Sequence, residues 1–229
     1  VSFIFGSSVV MGVSSDANQD SWIALIIAII FAIPIVLIYA RISKLYPGKD
    51  LCEITEKVFG TVLGKCIIII FIWYSLHLGS LVLTNFSQFT SITSLINTPE
   101  IILKIPLVIV AAYIAKSGVE VLGRWAVCAI TIGVIFLILT IILSADIMNF
   151  SVFLPIMNHD MKTITSAAFN IYSFPLGETV LFLTIASSFS NKNNSYKVFT
   201  YSILLGGLIL LVVILRNLSV LGLHMVNNE

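Results

Sequence analysis

Glu178 stands out because of where it lies. It belongs to SFPLGETV, Ser173 to Val180, inside an apolar segment of membrane length. A carboxylate near the middle of a bilayer costs several kcal/mol and usually faces a cavity or a partner. Pro175, three residues before it, has no backbone N–H and clashes with the carbonyl four residues back. Gly177 admits backbone conformations that a helix forbids. Together they predict an interrupted helix, whose freed N–H and C=O groups persist at membrane depth only where protein or a water-filled cavity satisfies them. Two readings stand. One is a binding site built on a broken helix. The other is a packing kink, with Glu178 held in an ion pair or as a protonated, hydrogen-bonded acid. The coincidence of break and acid favours the site.

A second stretch echoes the first. SFIFGSSVV, Ser2 to Val10, aligns with SFPLGETVL, Ser173 to Leu181, at four of nine positions, and Ser8 falls opposite Thr179. The two copies would cross the membrane in opposite directions, the pattern of an inverted repeat. Both spans are then expected to break at the same depth, around Gly6 and Gly177. Helix-end dipoles and free backbone groups would surround one small polar ligand.

Elsewhere at depth, His77, Thr84, Gln88 and Ser91 recur at helical spacing. Such a stripe lines a cavity or meets another helix. His77 alone is more often a packing residue than a ligand contact, and Trp73 and Tyr74 could form an aromatic wall or face lipid. Arg216 either snorkels outward or pairs with an acid. Gly206-Gly207 most simply permits close helix packing. No phosphate loop, metal-ligand cluster or nucleophile elbow is present, so neither an enzyme nor a cofactor or metal site is expected.

The elements that must position these residues follow from composition. The chain has 229 residues, 59% hydrophobic and 10% charged, with a mean hydropathy of +1.09. Several continuous runs reach about 20 apolar residues, enough to cross a bilayer as helix. This predicts an all-α polytopic membrane protein and excludes a β-barrel, whose strands alternate. A net charge of +1 with no dense basic cluster gives no sign of nucleic acid. Cys52, Cys66 and Cys128 are odd in number and read as free thiols.

Seven spans can be drawn, at about 1–13, 21–40, 62–95, 101–115, 121–144, 163–189 and 198–221. Nine of the twelve Lys and Arg fall on one side: Arg41, Lys44, Lys49, Lys57, Lys65, Lys116, Arg124, Lys192 and Lys197. That side is expected to be cytoplasmic. Between spans two and three, Asp50 and Glu53 form a capping box and Gly60 a stop. Leu51, Ile54 and Val58 share one face of the short helix so defined. It lies on the inner membrane surface or stands as a solvated loop helix.

These stretches resemble a known family. YPGKDLCEITEKVFG (46–60), NTPE (97–100), KSGVEVLGRWA (116–126), FLPI (153–156), FPLGE (174–178) and RNLSVLG (216–222) occur in the order and spacing of the B subunits of bacterial endospore germinant receptors. These are the GerAB-like spore germination proteins of the amino acid/polyamine/organocation transporter superfamily. The resemblance covers essentially the whole chain. It implies a LeuT-like fold of two inverted five-helix repeats, with helices 1 and 6 broken. Residues 1–229 would be one transmembrane domain, a piece of a ten-helix domain with the first helix truncated and the last three missing. The chain begins at Val1 in apolar sequence with no cleavable signal pattern, which fits a piece of something longer.

The resemblance also implies a role. Such a subunit binds a germinant, typically an amino acid, in the spore inner membrane. It works with an A subunit and a C-subunit lipoprotein, and binding triggers germination. Carried over, the ligand site takes in Gly6, Ser7 and Ser8, then Phe174, Pro175, Leu176, Gly177 and Glu178, with Tyr74 and His77 beside them. An ion-coupled amino-acid transporter using Glu178 as proton carrier is the alternative, and a structural subunit without ligand is a third; architecture alone does not separate them.

Overall fold

The computed structural model describes residues 1–11, 17–95, 97–188 and 195–226. Among them every regular element is helical: α1 (Ser2–Met11), α2 (Ser21–Leu45), α3 (Leu51–Phe59), α4 (Thr61–Thr93), α5 (Glu100–Ser117), α6 (Val119–Ser144), α7 (Met161–Ile171) and α8 (Ser195–Val226). Four spans are long and apolar enough to cross a membrane: Asn18–Leu45, Thr61–Thr93, Val119–Ile147 and Ser195–Val220. The other three expected spans are helical but differ in kind. α1 is ten residues long as described. α5 has 18 residues and carries Glu100, Lys104 and Lys116. The sixth span is split after Ile171. α8 turns at Gly222, whose φ of +68° is left-handed. Lys192, used above to orient the chain, lies outside the described residues.

The chain divides into two compact units. The first comprises 1–38, 125–179 and 197–229. Small residues set its packing. Ala24, Ala28 and Ala32 recur every fourth position along α2 and are fully buried, so a neighbouring backbone can approach closely. On α8, a β-carbon at Gly206 would stand 2.9 Å from Ile4 Cδ1, and one at Gly207 would collide with Ile29. The glycine pair therefore packs α8 against both α1 and α2, as its sequence suggests. Gly133 on α6 likewise makes room for the Phe5 ring. Ser2 Oγ donates to the Ala126 carbonyl at 2.9 Å. Thus α1 is held by α6 on one side and α8 on another.

The second unit comprises 39–124 and 180–196. Asp50 caps α3 by accepting the Glu53 N–H at 2.8 Å, the local half of the expected capping box. Gly60, at φ +78°, ends α3 and opens α4, a conformation costly for any residue with a β-carbon. The two helices then meet so closely that a β-carbon at Gly64 would stand 2.8 Å from Glu56 Cα. Ile54 and Thr55 are buried, whereas Val58 is exposed. Lys44 lies 5.7 Å from the centre of the Tyr196 ring, and Lys57 is 5.6 Å from that of Tyr46.

Candidate functional site

α7 buries one face, Ile164, Ala167, Ala168 and Ile171. Its regular helix ends there. Residues Tyr172–Leu176 form a wide π-type turn in which Phe174 is extended, at φ −135° and ψ 119°. Pro175 explains the widening, since it offers no N–H to the turn before it. The ladder is repaired locally: the Gly177 N–H donates to the Tyr172 carbonyl, and Ser173 Oγ donates to the Phe169 carbonyl at 2.9 Å. A 3-10 segment, Gly177–Leu183, follows. There Thr179 Oγ1 donates to the Leu176 carbonyl at 2.7 Å.

The interruption is therefore where the sequence places it, but the residue that leaves helical geometry is Phe174. Gly177 has φ −65° and ψ −29°, ordinary right-handed helix. Its lack of a side chain serves packing instead: a β-carbon there would come within 3.2 Å of the Tyr172 carbonyl oxygen.

Glu178 is 5% exposed, and its Oε2 has no hydrogen-bond partner. Pro175, Leu176 and Thr179 beside it are buried too. Such a group is costly unless a donor, cation or proton answers it.

α1 lies against the 172–176 turn. The structure thus brings the Gly6 helix and the interrupted segment together. The expected break at Gly6 does not occur, because α1 is helical from Ser2 to Met11. A lone glycine weakens a helix by about 1 kcal/mol but leaves its N–H in place, whereas proline removes the donor. Around Gly6 nothing lies within 4 Å of where a β-carbon would stand. Ser7 and Ser8 sit on the same helix, and their side chains lie outside the described residues.

Tyr74 and His77 belong to α4, in the second unit. His77 is exposed and stacks on Trp73, rings 5.4 Å apart and nearly parallel. Most hydroxyls of the α4 stripe return to their own helix: Thr84 donates to the Ser80 carbonyl, Ser87 to Thr84 and Ser91 to Gln88. A hydroxyl satisfied in this way makes little demand on a cavity. Arg216 pairs with no acid among the described residues. Its Nη1 donates to Asn217 Oδ1 at 3.1 Å, and its Nε is buried without a partner.

A polar cluster that the sequence did not announce lies at the start of α2. Asp20 accepts the Met157 N–H at 2.9 Å and the His159 N–H at 3.1 Å, and its Oδ2 is 3.0 Å from His159 Nδ1. Gln19 Nε2 donates to the Pro155 carbonyl at 2.7 Å. The one available signal was a run of polar residues, Asn18 to Ser21, directly before an apolar helix.

Four long apolar helices mark an integral membrane protein, and the shorter α7 is interrupted beside a buried carboxylate. Comparison with known proteins gives the family. The model for the family described as spore germination protein matches residues 1–229, and the chain belongs to that family. It is 25% identical over 228 residues to spore germination protein KB of Bacillus subtilis (strain 168), covering 97% of this chain and 61% of that protein. Against the putative spore germination protein YfkT of the same organism it is 27% identical over 211 residues, 90% of this chain and 56% of the relative. The chain thus spans about three-fifths of the length of these relatives. No solved structure matches it. The membership bears out the resemblance to the GerAB-like proteins.

Proposed function

We propose that this chain is the ligand-sensing membrane part of a spore nutrient receptor, and that it binds a small nutrient of the amino-acid class between α1 and the interrupted segment. One observation carries the reading: a buried carboxylate oxygen without a partner, at a helix interruption that lies against α1. An ammonium group answers that oxygen in charge and in hydrogen bonding. Phe174, Pro175, Leu176 and Gly177 shape the interruption, and α1, the helix of Gly6, Ser7 and Ser8, lies against it. The full protein adopts two inverted five-helix repeats in the spore inner membrane. Its partners are the A subunit and the C-subunit lipoprotein, and ligand binding shifts the complex toward germination.

The test is nutrient-triggered germination of spores carrying the full-length gene with Glu178→Gln, with subunit level followed by immunoblot. A raised dose midpoint at normal level is expected, about tenfold or more for a lost charge-assisted bond. An unchanged midpoint would leave the interruption as a packing kink. The same buried oxygen also suits a proton carrier, so ion-coupled uptake of labelled amino acid by the full-length protein is the result that would favour a transporter.

A further inference from the structure

The segment that leads into α7 is fastened by one buried carboxylate. The Asp20 side chain is 1% exposed and engages two backbone N–H groups and one imidazole nitrogen, all from Met157 and His159. A carboxylate accepts about four such bonds, so Asp20 is close to saturated. Gln19 adds a bond to the Pro155 carbonyl. α7 starts two residues beyond His159, at Met161, and its own N-cap residue, Asp160, makes no capping bond. Among the described residues, the side-chain hydrogen bonds that hold the segment before α7 to the start of α2 therefore come from Asp20 and Gln19, beside the packing of Ile164. From Met161 the chain runs as one helix to Ile171 and directly into the interruption and Glu178. A rigid helix of three turns carries a shift at one end to the other.

We propose that Asp20 is a positioning residue: by holding 155–159 it sets where α7 presents the interrupted segment, and so sets the ligand sensitivity of the site around Glu178. This rests on the ligand-site reading above. A residue serving only folding lowers subunit level or the final extent of germination. A positioning residue moves the dose midpoint.

The experiment uses spores that carry the full-length gene as their sole nutrient receptor, with a mixture of the common L-amino acids as probe. Asp20→Asn, which keeps one acceptor oxygen and loses the charge, is expected to raise the midpoint about tenfold at normal subunit level. His159→Ala, which keeps both backbone bonds to Asp20, is expected to raise it about threefold. The double variant is expected to be no worse than Asp20→Asn alone, because both changes act through one contact. Should Asp20→Asn fail to accumulate, the His159→Ala midpoint decides. Unchanged midpoints in both variants, while Glu178→Gln shifts it, would overturn the positioning role and leave the ligand site standing. An unchanged midpoint in Glu178→Gln, or wild-type spores that ignore the mixture, would remove the ligand site and the proposal with it.

Discussion

Ile4 of α1 is packed directly onto Gly206 of α8, with Ile4 Cδ1 2.9 Å from the place a β-carbon would occupy. Ile4 is almost fully buried. No side chain can be added at Gly206 without moving α1 or bending Ile4 away. Gly206→Val is expected to destabilise the first unit by about 1–3 kcal/mol, the usual range for overpacking. Thermal unfolding of the purified full-length protein in detergent measures this. Gly206→Ala combined with Ile4→Val should recover most of the loss. Equal stability of Gly206→Val and wild type would mean that α1 and α8 do not pack in this way.

Gly64 makes a parallel prediction for the second unit. A β-carbon there meets backbone, Glu56 Cα at 2.8 Å, which yields less readily than a side chain. Gly64→Val is expected to lift α3 from α4 at a cost of about 1–3 kcal/mol. Limited proteolysis between residues 46 and 60 should accelerate accordingly. Protection equal to wild type would contradict the close approach.

Cys52 tests orientation. It is exposed on α3. Partial desolvation holds its thiol above the ordinary range, and the Asp50 and Glu56 charges push it further up. Less thiolate is then present at neutral pH, so maleimide should react slowly at pH 7. The rate should rise about tenfold per pH unit until the thiol titrates. In a Cys66→Ser, Cys128→Ser background, a membrane-impermeant maleimide should reach Cys52 only from the Lys- and Arg-rich side. Labelling from the opposite side would reverse the orientation drawn from loop charges.

Local features were legible because their causes are local. The Asp50 cap, the stop at Gly60 and the close packing at Gly206-Gly207 each need only a few neighbouring residues, and each appears as read. The interruption at Pro175 was also legible, since a missing donor acts on its own turn. Gly6 was misread because glycine permits a break without causing one, and the echo with Gly177 hid that difference. The seven spans were drawn from hydropathy alone, which does not register a π-type turn after Ile171 or a Glu100–Lys104 pair at 2.8 Å inside α5. The Asp20–His159 contact joins residues 139 positions apart, and no periodicity or cap rule links such distant polar groups.

That separation has a consequence for how the protein is made. Asp20 leaves the ribosome before its partners at 157 and 159, which emerge only after the whole of 39–124. Until then its carboxylate must stay hydrated, since burial without donors is unfavourable. Its charge, one residue before α2, therefore favours keeping that end of the helix at the water interface until then. The first unit closes only when the ribosome has delivered both flanks of the second. Assembly order is thus written into one acidic residue, which waits in water for the rest of the chain.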